Sequence, residues 1–280
     1  MAWSRFRNRL MGRSAHFPQF REAVRSVHRS LREESREVCR AAAQDPCDKN
    51  RVTAFAMDIS NTVFLRSAPD LASCPEDSVP EFAFAGRSNV GKSSLLNLLV
   101  GKRDLANVSA TPGHTKHINL FTVNRAWRLV DLPGYGYARV ERKERGRFSS
   151  AVAEYLAHRP NLECVFSLVD SSLPPQDLDL EFIEGLVDNE VPFVLVFTKT
   201  DRVPPARTHE NIEAFKAKLG KWCETLPEIL TCSSVTRQGR HALLAIIDSI
   251  LTPEQKRRPR SQGPPRHAPW RNAVSEGPGR

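Results

Sequence analysis

Between residues 61 and 251, apolar runs of strand length alternate with amphipathic stretches of helix length. Continuous or period-two apolar runs predict strands at residues 61–65, 82–85, 117–123, 127–131, 164–170, 193–198 and 229–232. Recurrence of apolar positions every three to four residues predicts helices at residues 92–100, 146–157, 176–189, 208–225 and 239–251. Such alternation implies an α/β fold in three layers, a mostly parallel sheet of six to seven strands with helices on both faces. Ligands of such sheets bind beyond the carboxyl ends of the strands, so the loops that follow the strands are expected to hold the chemistry.

The pattern stops at both ends of the chain. Residues 1–56 are rich in Arg and too poor in apolar residues for a core, although Phe20, Val24, Val27 and Leu31 could line one face of a helix. They are read as a basic N-terminal extension, flexible or partly helical. Residues 252–280, with KRRPRSQGPPRHAPWRN, are expected to form a disordered tail, because Pro, Gly and Arg cannot bury enough apolar surface to order themselves. The domain is therefore expected to span residues 57–251.

The net charge of +9 changes meaning once it is placed on this map. Residues 1–56 hold 12 Lys/Arg against 6 Asp/Glu and residues 252–280 hold 7 against 2, which leaves the middle of the chain at −2. A general affinity of the domain for nucleic acid does not follow. The basic N-terminal composition loosely resembles an organellar transit segment, against which Glu33, Glu34 and Glu37 count; Met57 is an alternative chain start. A cytoplasmic, bacterial location is expected, with an organelle stroma or matrix as the alternative if residues 1–56 are a transit segment. No run of 18 apolar residues occurs, so no spanning helix and no membrane partner is expected. The six cysteines show neither a CxxC pair nor metal spacing; Cys164 and Cys232 lie in apolar runs and are expected to be core residues.

The candidate chemistry sits after the predicted strands. FAFA runs into GRSNVGKSS and then a helix, which matches GxxxxGK[ST]. Backbone amides of Gly86, Arg87, Ser88, Asn89, Val90 and Gly91 are expected to cradle phosphates, Lys92 to reach the β/γ-phosphates, Ser93 to ligate Mg²⁺, and Ser94 to line the start of the helix. After the strand WRLV, Asp131, Leu132, Pro133 and Gly134 form DxxG, with Asp131 placed to hold Mg²⁺ through water and Gly134 to meet the γ-phosphate. Thr198, Lys199, Thr200 and Asp201 form the [NT]KxD string, in which a buried carboxylate accepts from both N1–H and the exocyclic amine of guanine; adenine lacks that donor pair. Cys232, Ser233 and Ser234 follow the last strand, where a short loop closes over the base. The loop VSATPGHT offers Thr111 and Thr115 as reporters of the γ-phosphate.

Taken together, GRSNVGKSS, TPGHT, DLPGYGYA, TKTD and CSSV resemble the EngB (YihA/YsxC) family of ribosome-assembly GTPases, within the TrmE-Era-EngA-like P-loop GTPases. The resemblance covers about residues 57–251. It implies a P-loop GTPase fold, GTP and GDP as ligands, and Mg²⁺ held by Ser93 and Thr115, with Gly113, His114, Lys116 and His117 flanking that threonine in the site. It also implies slow GTP hydrolysis as a switch in assembly of the large ribosomal subunit, with a subunit precursor or its rRNA as partner, a monomeric chain, and a need for the protein in normal growth or division. Asn89 resembles the potassium-ligating asparagine of TrmE-type GTPases, so K⁺ is a further candidate; a loop-stabilising Asn is the plain alternative.

One position departs from the Ras pattern. The residue after DxxG is Tyr135 rather than a water-positioning glutamine, so slow intrinsic hydrolysis is expected and no catalytic residue is assigned. That leaves open a GTP-dependent binding module with little hydrolysis of its own. A small-molecule kinase would need lid arginines, and TKTD argues against ATP; a plain RNA-binding protein would rest on tail charge alone. The basic run ARVERKERGR at residues 138–147 is read either as a solvated helix face or as an RNA contact ordered by nucleotide.

Overall fold

The computed structural model describes residues 57–102, 105, 117–136, 142–223 and 225–252. The N-terminal extension and, apart from Thr252, the C-terminal tail therefore lie outside the described residues. Seven strands, β1 (Thr62–Ala68), β2 (Glu81–Gly86), β3 (Ile118–Val123), β4 (Trp127–Asp131), β5 (Leu162–Asp170), β6 (Phe193–Thr198) and β7 (Ile229–Thr231), form one sheet in the order β1-β3-β4-β2-β5-β6-β7. The pairs β4–β2, β2–β5, β5–β6 and β6–β7 are parallel, whereas β1–β3 and β3–β4 are antiparallel. This is the mostly parallel sheet that the apolar pattern predicts.

Burial explains which strands lie inside. EFAFAG, WRLVD and FVLVFT are buried at every position, as strands covered on both faces must be. The edge strand β1 is buried only at Thr62 and Ala68, and its ladder with β3 is offset between Phe64 and Arg66.

Among the described residues five helices cover the sheet: α1 (Lys92–Val100), α2 (Arg142–His158), α3 (Asp177–Asp188), α4 (Pro205–Leu219) and α5 (Arg240–Leu251). On one face Leu95, Leu96 and Leu99 of α1 join Leu243, Leu244, Ile246 and Ile247 of α5 over Phe82, Phe84 and Phe166. On the other, Tyr155 and Leu156 of α2, Phe182, Ile183 and Leu186 of α3, and Phe215 and Leu219 of α4 pack over Ala83, Val165 and Leu195. The expected three layers are present. Cys164 and Cys232 are buried core residues, as expected from their apolar runs.

Element ends differ from prediction where local chemistry outweighs periodicity. Pro205 and not Thr208 opens α4, because a proline's fixed φ and missing N–H suit the first turn. The same helix stops at Leu219, before Gly220, and not at Thr225. Helix α2 starts at Arg142, ahead of the predicted residue 146, and runs through Gly146.

At the amino end of β2 the buried Glu81 carboxylate accepts from Arg159 Nε (2.7 Å) and Nη2 (2.6 Å), Tyr155 Oη (2.8 Å) and Arg128 Nη1 (3.1 Å). A buried carboxylate persists only with such compensation. It ties β2, β4 and α2 together at the end of the sheet opposite the loop that follows Gly86.

Candidate functional site

Strand β2 ends at Gly86, and the chain turns through residues 87–91 into α1. A Cβ at Gly86 would lie 2.8 Å from Val90 Cγ1 and 3.0 Å from Leu168 Cβ, so only glycine lets the loop fold back onto the sheet. Asn89 and Gly91 take left-handed backbone, with φ of 65° and 101°. Those two reversals build a concave loop at the N-terminus of α1, the geometry that presents backbone amides to an anion. Lys92, Ser93 and Ser94 form the first turn of α1, and Lys92 is buried.

Asp131 is the last residue of β4, two strands' ends being brought level by the pairing of Phe84 with Asp131. The Lys92 ammonium donates to the Asp131 carboxylate, a salt bridge between two buried side chains. Leu132 N–H donates to Phe84 C=O (3.1 Å), and Leu132 and Pro133 are buried. Gly134 presses on the phosphate loop: an added Cβ would sit 3.1 Å from Ser88 Oγ and 3.2 Å from Ser88 N.

Tyr135 then pairs with Arg87 as an isolated parallel bridge, Ser88 N–H donating to Tyr135 C=O (3.0 Å) and Tyr135 N–H to Gly86 C=O (3.3 Å). Its ring stacks on Phe182 with centroids 4.6 Å apart, and its hydroxyl donates to Asp179 Oδ1 (3.1 Å). Arg87 Nε reaches both oxygens of the same carboxylate, at 3.1 and 3.0 Å. Burial raises the Asp179 pKa, against the pull of Arg87 and the Tyr135 hydroxyl. Burial, and then the Asp179 charge, raise the Tyr135 phenol well above its ordinary range. Tyr135 is turned toward α3, so it cannot serve as a water-positioning glutamine does.

The other end of the site follows β6. Thr198 Oγ1 donates to Val90 C=O (2.7 Å), which fixes the end of β6 to the phosphate loop. Lys199, at φ 59°, donates to Asn89 C=O (2.6 Å) and to Asp170 Oδ2 (2.5 Å). Burial pulls the Asp170 carboxyl up, but hydrogen bonds from Lys199 and Ser172 outweigh it and hold its pKa below the usual value. Thr200 Oγ1 donates to Gln238 Oε1 (3.0 Å). Asp201 Oδ1 accepts from Ser233 Oγ (2.5 Å), and Ser233 Oγ accepts from Val235 N–H (3.2 Å) and Thr236 N–H (3.0 Å). Asp201 is exposed, contrary to the buried carboxylate expected, because it stands on the rim of the sheet and is held from beneath by the buried Ser233.

Cys232 is buried and its thiol is pushed up to about 12 by desolvation, so it is a packing residue and not a nucleophile. A Cβ at Gly239 would come within 2.4 Å of Cys232 Sγ, so the loop carrying Ser233 and Ser234 needs glycine there.

The residues predicted from the motifs at 86–94, 131–134, 198–201 and 232–234 thus meet along the carboxyl ends of β4, β2, β5, β6 and β7. Gly113, His114, Thr115 and Lys116 lie outside the described residues, as does Thr111; His117 is exposed, just before β3. Of the expected Mg²⁺ ligands only Ser93 is placed. Sequence reasoning missed Asp170 and Asp179. Asp170 ends an apolar strand as Asp131 does, a signal that was legible; Asp179 looks like an ordinary acidic residue in the first turn of a helix.

The family described as 50S ribosome-binding GTPase matches residues 81–199. A protein named probable GTP-binding protein EngB from Bacteroides fragilis is 46% identical over 194 residues, covering 69% of this chain and 96% of that relative. The one from Porphyromonas gingivalis is 45% identical over the same length and shares. A crystal structure of a probable GTP-binding protein engB aligns with a TM-score of 0.47 and 21% identity, covering 61% of this chain and 98% of that one. With the relatives matched over nearly their whole length, this chain belongs to the EngB family of GTP-binding proteins, a family of GTPases.

Proposed function

We propose that this protein binds GTP and GDP with Mg²⁺ and hydrolyses GTP slowly, as a switch in assembly of the large ribosomal subunit, on which normal growth or division depends. The observation that carries the reading is the placement of a phosphate-type loop after β2 and a [NT]KxD segment after β6, at the same end of the sheet with β5 between them, joined by Lys199 to Asn89 and Thr198 to Val90. In this reading the loop of residues 86–91, through the amides not bonded within the protein, and Lys92 hold the phosphates, and Asp201, braced by Ser233, reads guanine. The residues fit the charges involved: the Lys92 ammonium, in contact with Asp131, suits a phosphate oxyanion, and the Asp131 carboxylate and the hydroxyl of Ser93, in the same helical turn as Lys92, are oxygen groups that suit a hard cation. Mg²⁺, when bound, neutralises charge on the phosphate oxygens; Ser93 and Thr115 are the protein ligands we assign to it. K⁺ at Asn89 is a further element of the proposal, supported by the exposed position of that residue on the loop. Equal turnover in K⁺ and Na⁺ would sink it.

The family description names the 50S ribosome, which supports a large-subunit precursor or its rRNA as partner. Among the described residues no helix is long and apolar enough to cross a membrane. The reading places a monomer in the bacterial cytoplasm, or in an organelle if residues 1–56 direct it there. Co-sedimentation with large-subunit precursors tests the switch: binding is expected with a non-hydrolysable GTP analogue and not with GDP, and equal binding in both would overturn it. The position of Tyr135 favours a second reading, a GTP-dependent binding module with little hydrolysis of its own. A single-turnover assay with and without precursors separates the two.

A further inference from the structure

The segment after β4 is held against the phosphate loop by a side-chain arrangement that the GTPase motifs do not include. Asp179 is fully buried in the first turn of α3. Its carboxylate takes Arg87 Nε from the phosphate loop and Tyr135 Oη from the segment after DxxG. Phe182, one turn further along α3, stacks on the Tyr135 ring. One helix therefore holds both loops at once. With Tyr135 so fixed, its carbonyl occupies the Ser88 amide, and Gly134 lies on Ser88. Next to them Lys92 and Asp131 are in direct contact. A γ-phosphate and its Mg²⁺ belong between an ammonium and a carboxylate placed in this way, so the third phosphate has to part groups that the arrangement brings together.

Resting on the GTP-binding reading above, we propose that Asp179 is a positioning residue that latches Tyr135, and with it residues 131–136, onto the phosphate loop, and that this latch favours GDP over GTP. Binding of the third phosphate requires the Tyr135 hydroxyl to leave Asp179. The latch sets how far the protein discriminates between its two nucleotides, because a ligand shifts a two-state element only by its differential affinity for the two states.

Tyr135→Phe keeps the ring on Phe182 and removes the hydroxyl. Dissociation constants of the full chain for GDP and for a non-hydrolysable GTP analogue, measured by titration, are expected to shift the ratio about fivefold toward the GTP analogue, the size of one hydrogen bond. Equal changes in both constants, or none, would mean a merely structural contact and overturn the latch. Hydrogen exchange on the unaltered protein gives the second measurement and does not depend on the variant folding. The Ser88 amide is expected to be protected with GDP and to lose protection with the GTP analogue; equal protection in both overturns the proposal. If the unaltered protein binds neither nucleotide, the GTP-binding reading fails and the latch falls with it, whereas binding with an unchanged ratio sinks the latch alone.

Discussion

The Lys199 ammonium bridges Asn89 C=O (2.6 Å) and Asp170 Oδ2 (2.5 Å), so one side chain ties the end of β6 to the phosphate loop and to the end of β5. On the proposed reading, the base-reading and phosphate-holding parts of the site are thereby a single mechanical unit. Lys199→Ala removes the tie and uncovers a carboxylate. Affinity for GTP and GDP is expected to fall about tenfold, the scale of a lost charged hydrogen bond, with both nucleotides affected alike. Titration with each nucleotide measures it; a loss confined to one nucleotide would contradict a shared role.

Asp201→Asn exchanges one of the two acceptor oxygens for a donor amide. Guanine's N1–H and amine then meet a donor, while xanthine, which carries a carbonyl in place of the amine, gains a partner. The GTP dissociation constant is expected to rise by about 10- to 100-fold, and XTP to be preferred in competition. Retained preference for GTP would remove Asp201 from base recognition.

Acid stability depends on Asp170. Its pKa lies below the ordinary 3.8, so the unfolded chain takes up a proton more readily than the folded one as pH falls. The stability it contributes is present above about pH 4 and is lost as pH drops through the depressed value. Asp179 has the opposite sign: its raised pKa means that folding costs more as pH rises past 3.8, since a charge must then be buried. Melting temperature followed from pH 3 to pH 6 is expected to climb more shallowly in Asp170→Asn than in the unaltered protein; parallel curves would refute the assignment.

Glu81→Gln is expected to destabilise the fold by about 3–5 kcal/mol, because Arg128 and Arg159 lose the buried charge they surround. Urea unfolding measures the loss. Nucleotide affinity of the folded protein is expected to stay unchanged, since this cluster sits at the amino ends of the strands.

How much of this was legible in the chain depends on how local each signal is. Strands β4 and β6 read correctly to the residue, because continuous apolar runs of that length bounded by Asp131 and Thr198 leave little choice. Helix α4 ended early because Gly220 outweighs an amphipathic pattern that continues past it. The cradle was legible because its glycines are required by φ and by close approach within a few residues. The destination of Tyr135 was not, since its partner lies 44 positions away, on helix α3. Asp201 was expected as a buried carboxylate and is exposed, because whether a strand end is covered depends on how neighbouring loops fold.

The site-bearing strands β4, β2, β5 and β6 stand side by side, with Asp131 ending the first and Thr198 the last. Neighbouring strands are spaced by about 4.8 Å, so those two residues are set roughly 14 Å apart by the sheet itself. On the proposed reading, the span between the two ends of the site is therefore set by backbone spacing, so side-chain exchange at either end would alter what is recognised there and leave that span unchanged.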